Sequence, residues 1–199
     1  DIMKKIDSEK LSADELLEIL LEGNRCFKNN TPRVKNHCFD EMKRTLVEGQ
    51  KPYAMILGCS DSRTCPEIIF DTGLGELFVA RTAGGTIGPN VLETLEYGVA
   101  HLKIKLLVIL GHQDCGVMKY AMNAPLYNDE LENLICHAQC VKMQMGSACF
   151  NELAKHYCDF AKHRLLAKSH VIKEAYQSGA LKIVKAYFTL ENGEVEILE

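Results

Sequence analysis

Two short runs constrain this chain more than anything else in it. Residues 53–57 read Y-A-M-I-L and residues 106–110 read L-L-V-I-L. Each is followed at once by glycine and then by polar residues: G-C-S-D-S-R after the first, G-H-Q-D-C-G after the second. A short run that is apolar at every position has no solvent face. That is the pattern of a strand buried on both sides of a sheet. Such strands occur in parallel sheets whose two faces are covered by helices.

The rest of the chain supplies those helices. Ser12 and Glu15 form a capping-box pattern ahead of L-L-E-I-L-L-E-G-N-R-C-F. Leu16, Ile19, Leu20 and Phe27 fall on one face of the helix this predicts, which ends near Asn29-Asn30. A second short helix is expected over residues 39–49. Pro66 opens a short helix in C-P-E-I-I-F, and E-L-F-V-A is the next strand. Pro89 opens a longer helix in which Val91, Leu95 and Val99 recur at helical spacing. C-G-V-M-K-Y-A-M reads as a short helix behind the 106–110 strand, and residues 128–178 read as mainly helical with one interruption near Gly146. K-I-V-K-A-Y-F-T-L, E-N-G and E-V-E-I-L close the chain as strand, turn and strand. The expected fold is α/β: a mostly parallel central sheet flanked by helices, with an N-terminal helical arm over residues 1–50 and a C-terminal β-hairpin. All of it is expected to form one domain over residues 1–199, a length that supports a single core at 47% hydrophobic residues.

Composition removes several function classes. The net charge of −4 is spread over interspersed acidic and basic residues, and no basic stripe offers a surface for nucleic acid. No apolar run reaches the roughly 18 residues of a membrane span. The first residues, D-I-M-K-K-I-D-S-E-K, lack the apolar core of a signal peptide. Nine cysteines, an odd count without small-module spacing, read as reduced thiols. A cytoplasmic location is therefore expected, with a targeting segment removed before Asp1 left open.

The two glycine-ended runs also carry the chemistry. In a parallel sheet, ligands gather at the carboxyl ends of strands near a topological switch point. Cys59 follows one strand; His112 and Cys115 follow the other. If the strands are neighbours, two thiolates and one imidazole converge, which is a zinc set by softness and geometry. Three protein ligands leave a fourth position for water, the arrangement of a catalytic site. Two thiolates cancel the zinc charge, so the bound water is acidified less than at an all-imidazole site, and surrounding groups must help. Asp61 and Arg63 stand at the right range. An ionised Asp61 accepts the hydrogen of a zinc-bound hydroxide and orients it, and Arg63 keeps Asp61 ionised through a bidentate contact. Singly, these residues have plainer readings: Asp61 and Asp114 as helix caps, Arg63 as a surface residue, Cys59 and Cys115 as buried thiols. Five suitable residues at two equivalent strand ends favour the joint reading.

C-S-D-S-R and G-H-Q-D-C-G, about fifty residues apart, resemble the β-class carbonic anhydrases. P-E-I-I-F-D-T-G-L-G-E-L-F-V-A-R-T-A-G-G, L-E-T-L-E-Y-G-V-A-H-L-K-I-K-L-L-V-I-L-G-H and G-A-L-K-I-V-K-A-Y-F-T-L-E-N-G-E-V-E-I-L are similar to that family as well. The resemblance spans nearly the whole chain and is weakest over residues 123–165. It implies a carbonate dehydratase that reversibly hydrates carbon dioxide with water to bicarbonate and a proton. It implies one zinc ion per subunit on Cys59, His112 and Cys115, and an orienting dyad of Asp61 and Arg63. It further implies a backbone N–H at Gly116 that helps hold the substrate, and a homodimer or dimer-based oligomer. A proton shuttle is expected but not identified; His101, late in a helix, reads as a structural or exposed histidine. Some members rest closed, with the dyad aspartate on the metal, and one group is regulated through a bicarbonate pocket of Trp, Arg and Tyr. Arg81 matches that arginine and equally suits a structural role, but Ile56 stands where the Trp would be and the chain has no Trp. Bicarbonate regulation by that pocket is therefore not expected, and the resting site is expected to be open at slightly alkaline pH.

Three other features stand apart from this set. Cys136, His137 and Cys140 share a helix but lack a fourth ligand at metal-site spacing, so buried thiols and an exposed imidazole are the expected reading. Cys65 is expected to be a small packed residue, and Ala83-Gly84-Gly85 reads equally as a place where backbone approaches the site closely and as an ordinary glycine turn. Two rival functions stand beside this one. One is hydrolysis of a related small molecule such as carbon disulfide; the other is a non-catalytic zinc or redox module, which has no use for the Asp61–Arg63 pair.

Overall fold

The computed structural model describes residues 6–33, 47, 49–125, 131–146 and 149–199. The short helix expected over residues 39–49 lies almost wholly outside the described residues.

In chain order the elements are α1 (Ala13–Lys28), β1 (Ala54–Cys59), α2 (Pro66–Ile69), β2 (Leu77–Thr82), α3 (Pro89–Ala100), β3 (Leu106–His112), α4 (Gly116–Asn123), α5 (Glu132–Met145), α6 (Phe150–Lys168), α7 (His170–Gln177), β4 (Lys182–Thr189) and β5 (Glu194–Leu198). The sheet order is β2-β1-β3-β4-β5. All neighbours are parallel except β4 and β5, which close the chain as an antiparallel pair. The mostly parallel sheet with a terminal hairpin is the one expected. β1 and β3 each run two residues further than their apolar runs, so Cys59 and His112 are the last residues of their strands rather than residues beyond them.

The unbroken apolar runs are explained by burial on two faces. Met55, Leu57, Leu107 and Ile109 join one core, packed under α3 to α7. Ala54, Ile56, Leu106, Val108 and Leu110 join a second, packed against α1 and α2. Alternate residues point to opposite faces, and both faces are dry. The N-terminal helix packs on this chain's own sheet: Leu16 and Leu20 are fully buried against the second core. Its capping box is formed as read, with the Ser12 Oγ accepting from the Glu15 N–H at 3.2 Å and Glu15 accepting from the Ser12 N–H at 2.8 Å. The helical stretch after residue 128 breaks twice. One break is at Gly146, with φ of 77°, and the other is at Ser169, whose hydroxyl caps α7.

The two strand-end glycines look alike in sequence and differ in structure. A Cβ on Gly111 would stand 2.8 Å from the Cys158 Sγ and 3.2 Å from the Ala154 carbonyl, because α6 lies directly on the end of β3. A Cβ on Gly58 would meet nothing nearer than Ile56 at 3.9 Å. Asn24 was not legible as structural, yet it is buried and joins three segments. Its Oδ1 accepts from the Val195 N–H at 2.9 Å, and its Nδ2 donates to the carbonyls of Ile69 at 3.2 Å and Gly193 at 2.9 Å.

Gly111→Ala is expected to lower unfolding stability by about 2 kcal/mol, the cost of overpacking, while Gly58→Ala stays near neutral. Asn24→Ala leaves a buried N–H and two carbonyls without their partner, and is expected to cost about 2 kcal/mol. Chemical denaturation of the three variants checks both expectations.

Candidate metal centre

β1 lies between β2 and β3, so the chain reverses its direction of travel across the sheet at the β1–β3 boundary. That boundary is the switch point at which a crevice opens beyond the strand ends. The parallel register pairs Gly58 with Leu110, so the loops that follow emerge side by side. The outcome is convergence. The Sγ atoms of Cys59 and Cys115 and a ring nitrogen of His112 all lie within 4.8 Å of one another, and all three residues are buried. Among the described residues this is the only such group of three or more.

Each member is oriented by backbone. The Cys59 Sγ accepts from the Asp61 N–H at 3.3 Å and the Gly84 N–H at 3.2 Å. Gly84 reaches that position with φ of 67°, and a Cβ there would stand 2.8 Å from Val117. The close approach read from Ala83-Gly84-Gly85 is thus present. Cys115 is the N-cap of α4, with the Val117 and Met118 amides facing its sulfur. The His112 Nδ1 sits 2.8 Å from the Gln113 carbonyl, which can only accept, so Nδ1 carries the proton and Nε2 a lone pair. That Nε2 is buried and has no hydrogen-bond partner. A buried acceptor without a partner calls for one. A hydrogen bond from Cys115 holds the Cys59 thiol down to about 4, helped by the two amides, while burial opposes it. Cys115 is pushed up, first by that same hydrogen bond and then by burial. The pair therefore shares one proton, and a cation that displaces it meets two thiolates and a free imidazole lone pair. The donor set fits a soft divalent metal ion. A cavity of about 20 Å³ adjoins it, lined by Cys59, Gly85, His112, Cys115 and Tyr157 among others, and has room for one water-sized group.

Asp61 stands outside the ligand group. Its Oδ1 accepts from the Arg63 N–H and Nε, both at 2.9 Å, and its Oδ2 from Nη2 at 2.7 Å. This bidentate contact, against partial burial, holds the carboxyl down to about 2. Neither Asp61 nor Asp114 caps a helix: the N-caps of α2 and α4 are Cys65 and Cys115. Arg81 has a structural task here. Its Nε donates to the Cys59 carbonyl at 2.7 Å and its Nη2 to the Asp61 carbonyl at 2.6 Å, stapling the loop that carries both residues. The signal for it in sequence was a charged residue directly after the expected E-L-F-V-A strand; β2 runs on to Thr82 and pairs Arg81 with Gly58.

Other singled-out residues stay apart. Cys136, His137 and Cys140 do not form a metal group, Cys140 is exposed, and the His137 ring packs on Phe160 at 5.5 Å. Cys65 donates to Glu67 at 3.3 Å. His101 caps the end of α3 and stacks on Tyr97 at 5.1 Å. All eight described cysteines are free thiols.

His112→Ala is expected to abolish metal retention after dialysis against a weak chelator, read by elemental analysis. Arg81→Met removes two charge-assisted hydrogen bonds and is expected to lower stability by about 2 kcal/mol.

The carbonic anhydrase family model matches residues 54–195. "Carbonic anhydrase 2" of Mycobacterium tuberculosis is 35% identical over 183 residues, 87% of each chain. The carbonic anhydrase of Mycolicibacterium smegmatis is 33% identical over 186 residues, 89% of each. Among solved structures, the β-carbonic anhydrase CafA of Aspergillus fumigatus superposes with a TM-score of 0.72 at 25% identity, over 94% of this chain and 89% of its own. The Coccomyxa β-carbonic anhydrase, in complex with acetazolamide, superposes with a TM-score of 0.71 at 26% identity, over 92% and 86%. Sequence relatives and fold agree with the geometry at the strand ends, and the chain belongs to the β-class of the carbonic anhydrase family.

Proposed function

We propose that this carbonate dehydratase hydrates carbon dioxide to bicarbonate and a proton at one zinc ion per subunit, held by Cys59, His112 and Cys115, with Asp61 and Arg63 as the orienting dyad. One observation carries the proposal: two facing thiols and a buried, partnerless imidazole nitrogen, with a bidentate Asp–Arg pair on the loop that follows Cys59. Zinc, when bound, supplies the Lewis acidity that makes water a nucleophile at neutral pH.

The chain's own residues do the rest. Asp61 stays ionised because Arg63 grips it. Arg63 occupies three of the roughly four acceptor positions of the carboxylate, two on Oδ1 and one on Oδ2. The position left on Oδ2 accepts the hydrogen of the attacking O–H and aims its lone pair at the substrate carbon. Gly116 is the first residue of α4, where backbone N–H groups have no partner within the helix. Its N–H is suited to a substrate oxygen, and the lack of a side chain leaves the approach open. Carbon dioxide is small and apolar, so little further binding apparatus is required.

The Asp61–Arg63 fork supports a resting site in which Asp61 stays off the metal. Regulation through a bicarbonate pocket finds no support: Ile56 fills the place of the Trp, and Arg81 is engaged with two carbonyls. We also infer a homodimer. β2 is an edge strand whose Leu77, Phe78 and Val79 are only half-buried, and exposed Ile68, Leu74 and Tyr97 lie on the neighbouring segments. No helix among the described residues is long and apolar enough to cross a membrane, and the free thiols suit the cytoplasm.

Stopped-flow hydration of carbon dioxide by the zinc-loaded protein is expected to show turnover, and Arg63→Ala to lower kcat/KM about a hundredfold with zinc retained. Absence of turnover at every pH, with zinc fully bound, would sink the proposal.

A further inference from the structure

Arg63 needs an anchor that Asp61 does not supply. Its side chain is 47% exposed. An exposed ion pair gains little over solvent, because ordering a long side chain costs rotamer freedom. Yet all three guanidinium nitrogens are engaged. Nε and Nη2 hold Asp61 at 2.9 and 2.7 Å. Nη2 also donates to the Asp114 carbonyl at 3.1 Å, and Nη1 to the Asp114 Oδ2 at 3.3 Å.

Asp114 is itself fixed from several sides. Its backbone is left-handed, with φ of 59°, a conformation that Asp tolerates better than most residues. Its N–H donates to the Asn151 Oδ1 at 2.8 Å, at the start of α6. Its Oδ1 is ion-paired with Lys119 of α4, whose ammonium stands 4.9 Å over the Phe150 ring. The charges thus alternate: Asp61, Arg63, Asp114, Lys119. The row crosses from the loop after β1 to the loop after β3, joining the two segments that carry Cys59 and Cys115.

Two carboxylates compete for one guanidinium, and the distances rank them. Arg63 is tight on Asp61 and looser on Asp114. Lys119 occupies the other oxygen of Asp114, which leaves that carboxylate enough charge to steady Arg63 without drawing it away. We propose that Asp114 is a positioning residue for the Asp61–Arg63 dyad, with Lys119 as its counter-charge. This rests on the reading that the dyad orients the nucleophile.

The test uses the zinc-loaded protein and three variants: Asp114→Ala, Asp114→Asn, which keeps the side-chain volume, and Lys119→Met. Asp114→Ala is expected to lower kcat/KM about tenfold and, at its left-handed φ, to lower the thermal midpoint; the other two are expected to lower kcat/KM about threefold with thermal midpoint unchanged, and all three keep their zinc content. A slowly exchanging Arg63 Nε–H, seen by nitrogen NMR in the native protein, is expected to be lost in Asp114→Ala. In an Arg63→Ala background, Asp114→Ala is expected to lower the rate no further. Multiplying effects of the two substitutions, or an Nε–H signal and rate indifferent to both Asp114 variants, would overturn the proposal. If the native protein does not hydrate carbon dioxide, the functional reading fails on its own. The Nε–H signal then decides Asp114: its loss in the variant sustains the anchor, and its survival refutes it.

Discussion

The parallel pairing of β1 with β3 is the constraint from which the rest follows. Gly58 opposite Leu110 brings two sequence-distant loops to one crevice, and every group in the site stands on one of those loops or on what packs against them. The pairing is held by burial on two faces. A slip of one residue would exchange the two faces of β1 and present its side chains to the wrong cores. A candidate metal site with its groups in two segments therefore gains its precision from the packing of Leu57, Ile109 and their neighbours, at some distance from the crevice.

Support for the site comes in tiers of main-chain contacts. Arg81 grips the carbonyls of Cys59 and Asp61, the amides of Asp61 and Gly84 point at one sulfur, and the Gln113 carbonyl fixes the imidazole tautomer. Side chains that orient ligands through backbone cost little reorganisation when a cation arrives, since the partners already stand in place. Close approach has steric consequences as well. Gly84 and Gly111 leave room for Val117 and Cys158, and a methyl group at either would push on α4 or α6.

Charge is arranged in a row. The carboxylates of Asp61 and Asp114 alternate with Arg63 and Lys119, so the mouth of the site is nearly balanced while each carboxylate stays ionised. In water such pairs are weak one by one. Their alternation between two rigid loops gives direction, which an orienting group needs more than strength.

Much of this was legible in the sequence. Periodicity and proline placement located the helices, because both act within a few residues. Apolar runs without a polar face declared a doubly covered parallel sheet. The spacing of Cys59, Asp61 and Arg63, and of His112 and Cys115, marked candidate ligands and a candidate ion pair, because ligand chemistry belongs to residue type. What the tertiary structure decided depended on contacts between distant segments. Gly111 and Gly58 read the same, and only the seat of α6 separates them. Nothing in the sequence marks Asn24 as structural; its task comes from its amide meeting Ile69, Gly193 and Val195. Arg81 suited two roles until the register set it beside Gly58 and under two carbonyls. Asp114 read as a cap, and the opposite loop made it a partner of Arg63. The chain by itself determined which groups were available and how each short segment folds; only the packed sheet decided which of them face one another, because that depends on register and layer rather than on distance along the chain.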